Sequence, residues 1–117
     1  MKNFIIAVFI LTAPAFAWAL PTVQQVEAEV QQGRTVQAEM MMSKVVAAKP
    51  ASARAHYIYA EILAKNRKFA KASEEAKTAR QLDPNLKFTQ PDKFRTFERL
   101  LEKEQRAPTR TKPAPSP

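Results

Sequence analysis

The sequence predicts an all-α fold: two short helical hairpins in tandem and one further helix that caps them. Three observations carry this prediction. Apolar residues recur at intervals of three and four in five successive stretches, the spacing that puts them on one side of an α-helix. With one glycine and no cysteine in 117 residues, and no run of alternating β-branched residues, the chain lacks the turn and strand vocabulary of a small β-sandwich and the disulfides that could staple one. Pro50 and Pro84 each close the second helix of a pair, and they stand 34 residues apart, which marks the pairs as copies of one unit.

Ahead of the first helix, the chain opens on Lys2, runs through the apolar Phe4 to Leu11, and ends in the small residues Ala15, Ala17 and Ala19. That order is a secretory signal peptide over residues 1–19, with cleavage expected after Ala19 or, alternatively, after Ala17. The apolar run is far short of the ~20 residues of a membrane span, and Pro14 interrupts its continuation. The mature chain is therefore expected to carry no transmembrane span and to be periplasmic or secreted. No cysteine follows the apolar run, which excludes a lipid anchor on an N-terminal cysteine.

Residues 20–106 then form one helical domain. In the first helix, Thr22 to Gln32, Val23, Val26 and Val30 make an apolar stripe among glutamines and glutamates, and Gly33 follows where a helix end wants a residue that tolerates φ > 0. The second starts near Thr35, a candidate N-cap, and carries Val36, Met40, Val45 and Ala48 to the stop at Pro50. Its triplet Met40-Met41-Met42 cannot face one core together, so one or two of these methionines should fill core gaps. Ser52 caps the third helix, Ala53 to Lys65, whose Ala55, Ile58, Tyr59, Ile62 and Leu63 are too many for one narrow stripe; it should pack on two sides. Asn66 and Arg67 turn the chain. The fourth helix, Lys68 to Leu82, places Phe69, Ala72, Ala76, Ala79 and Leu82 on one side, and its small alanines let helix axes approach closely. Thr89-Gln90-Pro91-Asp92 reads as a capping signal with Thr89 at N-cap, and the fifth helix, about residues 90–105, turns Phe94, Phe97, Leu100 and Leu101 to one side. The tail, 107–117, has four prolines and no large apolar residue, so it is expected to be disordered.

The 34-residue interval that joins Pro50 to Pro84 also joins Ala38 to Ala72, Val45 to Ala79 and Ala48 to Leu82. Two helices per unit, small residues where helices meet and a closing proline at this period resemble the tetratricopeptide repeat. The second unit, residues 53–86, matches well through Ala60, Ala72, Ala79, Leu82 and Pro84; His56 replaces the usual bulky aromatic, and Arg67 the common turn glycine. The first, residues 20–52, matches through Gly33, Ala38 and Pro50, with Val26 at a small position. The resemblance implies a short right-handed array of two repeats plus a C-terminal capping helix. It also implies a concave groove, lined by the first helices of the hairpins, that binds an extended peptide or a helix. By that resemblance Val23, Glu27, Val30, Arg54, Tyr57, Glu61 and Lys65 line it. Tyr57 would offer an aromatic surface, and Arg54 and Lys65 charge-assisted bonds to a carboxylate. Tyr57 and Glu61 stand where some family members place a Lys/Asn clamp for a terminal carboxylate, which disfavours a receptor of that type. The implied function is a protein-protein adaptor in the cell envelope. With only two hairpins, the N-terminal edge is left open to a partner or to a second copy in a weak homo-oligomer.

Catalysis finds no support in the residues. His56 is the single histidine and has no nucleophile motif beside it. The neighbours Glu74 and Glu75 point about 100° apart on a helix and cannot act as a paired acid and base. Gly33 alone cannot build a phosphate-cradling loop, and the methionines have no other soft ligands nearby. The chain is thus read as no enzyme, with no catalytic, metal or cofactor-binding residue and no cofactor. Its formal net charge of +8 supplies an alternative reading: a basic exported protein that binds anionic envelope polymer, lipid or nucleic acid through Lys65, Arg67, Lys68, Lys71, Arg110 and Lys112. No sequence-specific nucleic-acid recognition is expected.

Overall fold

The computed structural model describes residues 19–106. Residues 1–18 and 107–117, on which the expected leader and tail fall, lie outside the described residues. The chain forms five helices, α1 (Val23–Gln31), α2 (Thr35–Ala48), α3 (Ala53–Lys65), α4 (Phe69–Leu82) and α5 (Pro91–Arg106), and no strand among the described residues. Each helix packs mainly on its neighbours in sequence, with α3 in the middle: it is sandwiched between α2 and α4, and α5 closes over α4. This is the expected all-α array of two hairpins and a capping helix.

The repeat is visible in the backbone itself. At the end of α1, the Gly33 N–H donates to the Val30 carbonyl at 3.0 Å and the Arg34 N–H to Glu29 at 2.8 Å, the paired bonds of a Schellman motif. Thirty-four residues on, Arg67 donates to Ala64 at 3.0 Å and Lys68 to Leu63 at 2.9 Å. Gly33 and Arg67 both stand in the left-handed region, at φ 79 and 62. The turn geometry is therefore kept even where glycine is replaced, and the Arg67 guanidinium lies 5.4 Å over the Phe69 ring.

Two helix starts follow from local side-chain chemistry. Thr22 and Gln25 form a full capping box at α1, and the Ser52 hydroxyl accepts from the Ala55 N–H at 3.2 Å, as the sequence predicts for α3. Thr35 is not a cap: Arg34 holds the N-cap place of α2 without a side-chain bond, as Lys68 does for α4, because the chain leaves each left-handed turn directly into helix. Thr89 is not a cap either. The first carbonyl to accept a helical bond in α5 is that of Gln90, from the Phe94 N–H at 3.1 Å, so Thr89 is set back one residue.

The core is built on small residues and a few large ones. Ala38, Ala60, Ala72 and Ala79 are fully buried, which lets the axes of the hairpins close up. Met42 is buried, Met41 half-buried against the core and Met40 exposed, so the methionine triplet divides as a helix requires. Val26, Ala60 and Phe94, spaced at 34 residues, are all shut off from solvent; α5 thus continues the register as the first helix of an unfinished unit. Phe94, Phe97 and Leu101 face inward, whereas Leu100, expected beside them, is exposed because it stands about 100° round the helix from Leu101. Leu82, expected inside at the end of α4, is also exposed. The chain turns instead at Leu86, φ 55, and it is Leu86 whose side chain enters the core.

Candidate functional site

Helices α1 and α3, the first helices of the two hairpins, flank a cavity of about 220 Å³ lined by Glu27, Val30 and Gln31 on one side and Ile58, Glu61, Ile62 and Lys65 on the other. On α3 these residues follow the spacing i, i+3, i+4, i+7, a single helix face. The floor is apolar, with Ile62 buried and Val30 and Ile58 half-buried, and the rim is polar. Of the residues assigned to the groove from sequence, Glu27, Val30, Glu61 and Lys65 line this cavity. Gln31, Ile58 and Ile62 were missed: the isoleucines read as core because α3 carries too many apolar positions to assign to faces without knowing what packs where.

Three groove residues are placed elsewhere. Val23, in the first turn of α1, is half-buried, and Arg54, in the first turn of α3, is exposed; neither lines the cavity, which sits nearer the C-terminal ends of both helices. Tyr57 is corrected outright. It is 4% exposed and offers no aromatic surface, because the loop after α4 folds Phe88 back over it. The Tyr57 ring stands 5.2 Å from Phe88, 5.7 Å from Phe94 and 5.9 Å from Phe97, separations at which aromatic pairs attract edge to face. The expected aromatic contact for a ligand is thus the joint between α3 and α5.

That joint leaves two polar groups poorly served. The Tyr57 hydroxyl is buried without a hydrogen-bond partner. It lies toward Thr89 and Glu61, and loss of water holds the phenol above its ordinary range. Glu61 is half-buried and in no ion pair with a described residue, and the Tyr57 hydroxyl faces it as a donor. Burial raises its carboxyl above the ordinary glutamate value, an effect that Lys93 on α5, the Tyr57 hydroxyl and Lys65 on α3 oppose without removing.

Elsewhere, charges are spent within the protein. Lys68 bonds Glu39 at 2.7 Å, and Asn66 reaches the Thr35 carbonyl and Glu39, both at 3.0 Å, tying the second unit to α2. Lys71 sits 5.4 Å over the Tyr59 ring. Of the basic cluster proposed for polymer binding, then, Arg67, Lys68 and Lys71 are engaged in holding the repeats, and Arg110 and Lys112 lie outside the described residues. His56 is buried and bridges the units, with Nε2 donating to the Pro50 carbonyl at 2.8 Å and Nδ1 2.5 Å from the Glu75 carboxylate. An open trough of about 420 Å³ between α4 and α5 is rimmed by Lys77, Glu98, Glu102 and Arg106. There Glu98 pairs with Arg80 and Glu102 with Arg106, which leaves less unmet polarity than the α1–α3 cavity holds. Among the described residues no group of acidic, histidine or cysteine side chains could hold a metal ion, and no helix is long and apolar enough to cross a membrane.

Compared with known proteins, residues 29–87 match a family model described as a tetratricopeptide repeat. The match spans both left-handed turns and both closing prolines, and it covers half of the chain. No curated protein and no solved structure matches the chain.

Proposed function

The chain belongs to the tetratricopeptide-repeat family, and from that premise we propose that it is an exported, non-catalytic interaction module of the cell envelope that grips a peptide or helix of a partner protein between α1 and α3. The family is one of protein-protein interaction modules; the export, the groove and its occupant are the proposal. One observation supports the groove above all: the α1–α3 cavity has an apolar floor and a charged rim, the make-up of a site that buries a side chain and orients it by a few polar contacts. The signal-peptide order of residues 1–19 is what supports export, with 20–106 proposed as the working domain. The competing polymer-binding reading loses its best candidates, because the basic residues of the α3–α4 turn are committed to Glu39 and to aromatic rings.

Capture of partners from an envelope extract tests this reading. The wild-type chain should retain a partner that Gln31→Trp, which fills the cavity from an exposed position, loses. Met40→Arg, on the outer side of α2, should retain it. Equal capture by the Gln31 variant rejects the groove. Export is tested separately, by N-terminal sequencing of the chain recovered from the periplasm.

A further inference from the structure

We propose that the outer face of α2 is a self-association surface, on which a second copy of this chain lays its own α2 antiparallel, about a two-fold axis passing between Met41 and Met42. No residue of α2 lines the α1–α3 cavity. This surface and the groove can therefore be occupied at once, and neither depends on the other.

The inward side of α2 seats Ala38 and Met42 in the core, with Met41, Val45 and Val46 half-buried against it. On the opposite side Val36, Met40, Ser43 and Ala47 are all exposed. Val36 and Met40, at 66% and 55%, are the most exposed large apolar side chains among the described residues. The fold does not require apolar residues there. At the matching places of the second unit, 34 residues on, α4 carries Ala70, Glu74, Lys77 and Gln81, which are exposed as well. The same outer stripe is thus apolar or small in one copy of the repeat and mostly polar in the other, so its chemistry on α2 answers to something outside the repeat.

Spacing and size say what fits it. Val36, Met40, Ser43 and Ala47 follow at intervals of four, three and four, the seam of a coiled coil, and they fall within about 60° of one another around the helix. In an antiparallel pair the seam of one copy runs from first to last against last to first, so Val36 meets Ala47 and Met40 meets Ser43. Each layer then sets a large side chain against a small one and fills without crowding. A parallel pair would instead stack Met40 on Met40 and Ala47 on Ala47, crowding one layer and leaving a gap in another. The seam carries no charge. Beside it Gln37 and Lys44, both exposed, stand on one flank, where the Lys44 ammonium of one copy can donate to the Gln37 amide oxygen of the other. One helix pair over about three turns falls short of the ~1,200 Å² that stable interfaces bury, and each copy carries a formal net charge of +8, which opposes pairing. The association is accordingly weak and reversible.

Sedimentation equilibrium of the purified chain tests this. A monomer–dimer equilibrium should be half-complete between about 10 µM and 1 mM, the range of small transient interfaces. Added salt, which screens the repulsion between the two positive copies, should not weaken it. Met40→Arg should weaken pairing at least tenfold while circular dichroism stays that of the wild type, and Glu74→Arg, on the matching stripe of α4, should leave pairing unchanged. The register is tested by disulfide trapping, since the chain has no cysteine of its own. A mixture of Val36→Cys and Ala47→Cys chains should crosslink under mild oxidation, whereas neither variant should crosslink alone, because in the antiparallel seam each lies about 16 Å from its own counterpart, too far for a disulfide. A chain that stays monomeric at about 1 mM overturns the proposal and leaves the stripe to a helix of another protein. A dimer indifferent to Met40→Arg overturns it by placing the contact elsewhere. Ala47→Cys that crosslinks with itself overturns the antiparallel two-fold.

Discussion

Leu86 shows how one residue can be worth its strain. A left-handed φ costs an L-residue about 1–2 kcal/mol, and Leu86 bears it at φ 55 because burying its side chain returns about 1.5–3 kcal/mol. The turn is held from the other side by Asp83, whose carboxylate accepts from the Asn85 and Lys87 N–H groups at 3.2 and 2.8 Å. Leu86→Ala should lose the burial and keep the strain, a cost of about 2–4 kcal/mol. Leu86→Gly loses the burial but releases the strain, less the ~0.5–1 kcal/mol of extra freedom glycine gives the unfolded chain. Thermal or urea unfolding should therefore rank glycine above alanine at this site, by about 0.5–1 kcal/mol, the reverse of the usual order. Glu39 supplies a pH prediction. Lys68, then Asn66, hold its carboxyl below the ordinary glutamate value of 4.5 against the opposing effect of burial. With the folded-state value depressed, the bridge stabilises the protein above the unfolded-state value and the contribution is lost as pH falls through the folded one. Glu39→Gln should lower the melting temperature at neutral pH, and the gap to wild type should close in acid.

Among the elements, α5 decides whether the array is closed. Its inward residues meet Tyr57 and the alanine face of α4, and Arg80 on α4 both bonds Glu98, Nε to Oε2 at 3.2 Å, and lies 5.4 Å over the Phe94 ring. Phe94→Ala should cost about 3–5 kcal/mol, enough to unfold much of so small a domain, and near-ultraviolet circular dichroism should lose the Tyr57 signal along with it. Much of the element layout was legible in advance, since capping residues, closing prolines and helical spacing are local properties of the chain. The two caps that were misplaced, at Thr35 and Thr89, share a cause: a hydroxyl next to a helix start is a cap only if the backbone before it is extended, and a left-handed turn or an intervening residue removes that condition. The site was half legible. The repeat resemblance put Glu27, Val30, Glu61 and Lys65 in the groove, but the fate of Tyr57 depended on Phe88, thirty-one residues away in a loop whose path no local pattern dictates. The His56 bridge to Pro50 and Glu75 was hidden for the same reason.

At the level of the whole molecule, packing runs from neighbour to neighbour along the chain, so stability is close to a sum of adjoining interfaces. Those interfaces are unequal. Seven residues of α3 are buried, whereas α1 is held by one, Val26. Native-state hydrogen exchange should therefore show α1 opening at the lowest free energy of the five helices and α3 at the highest; α1 amides as protected as those of α3 would contradict this.

Since α1 supplies Glu27, Val30 and Gln31, one jaw of the groove is also the element most ready to let go. On the proposed groove reading, a partner seated there must complete the fold of α1 as well as fill the cavity, and some of its binding energy is consumed in doing so. Recognition by this chain is then partly an act of folding, slower to tighten and easier to reverse than closure on a rigid cleft, and measurable as protection gained in α1 when the groove is occupied.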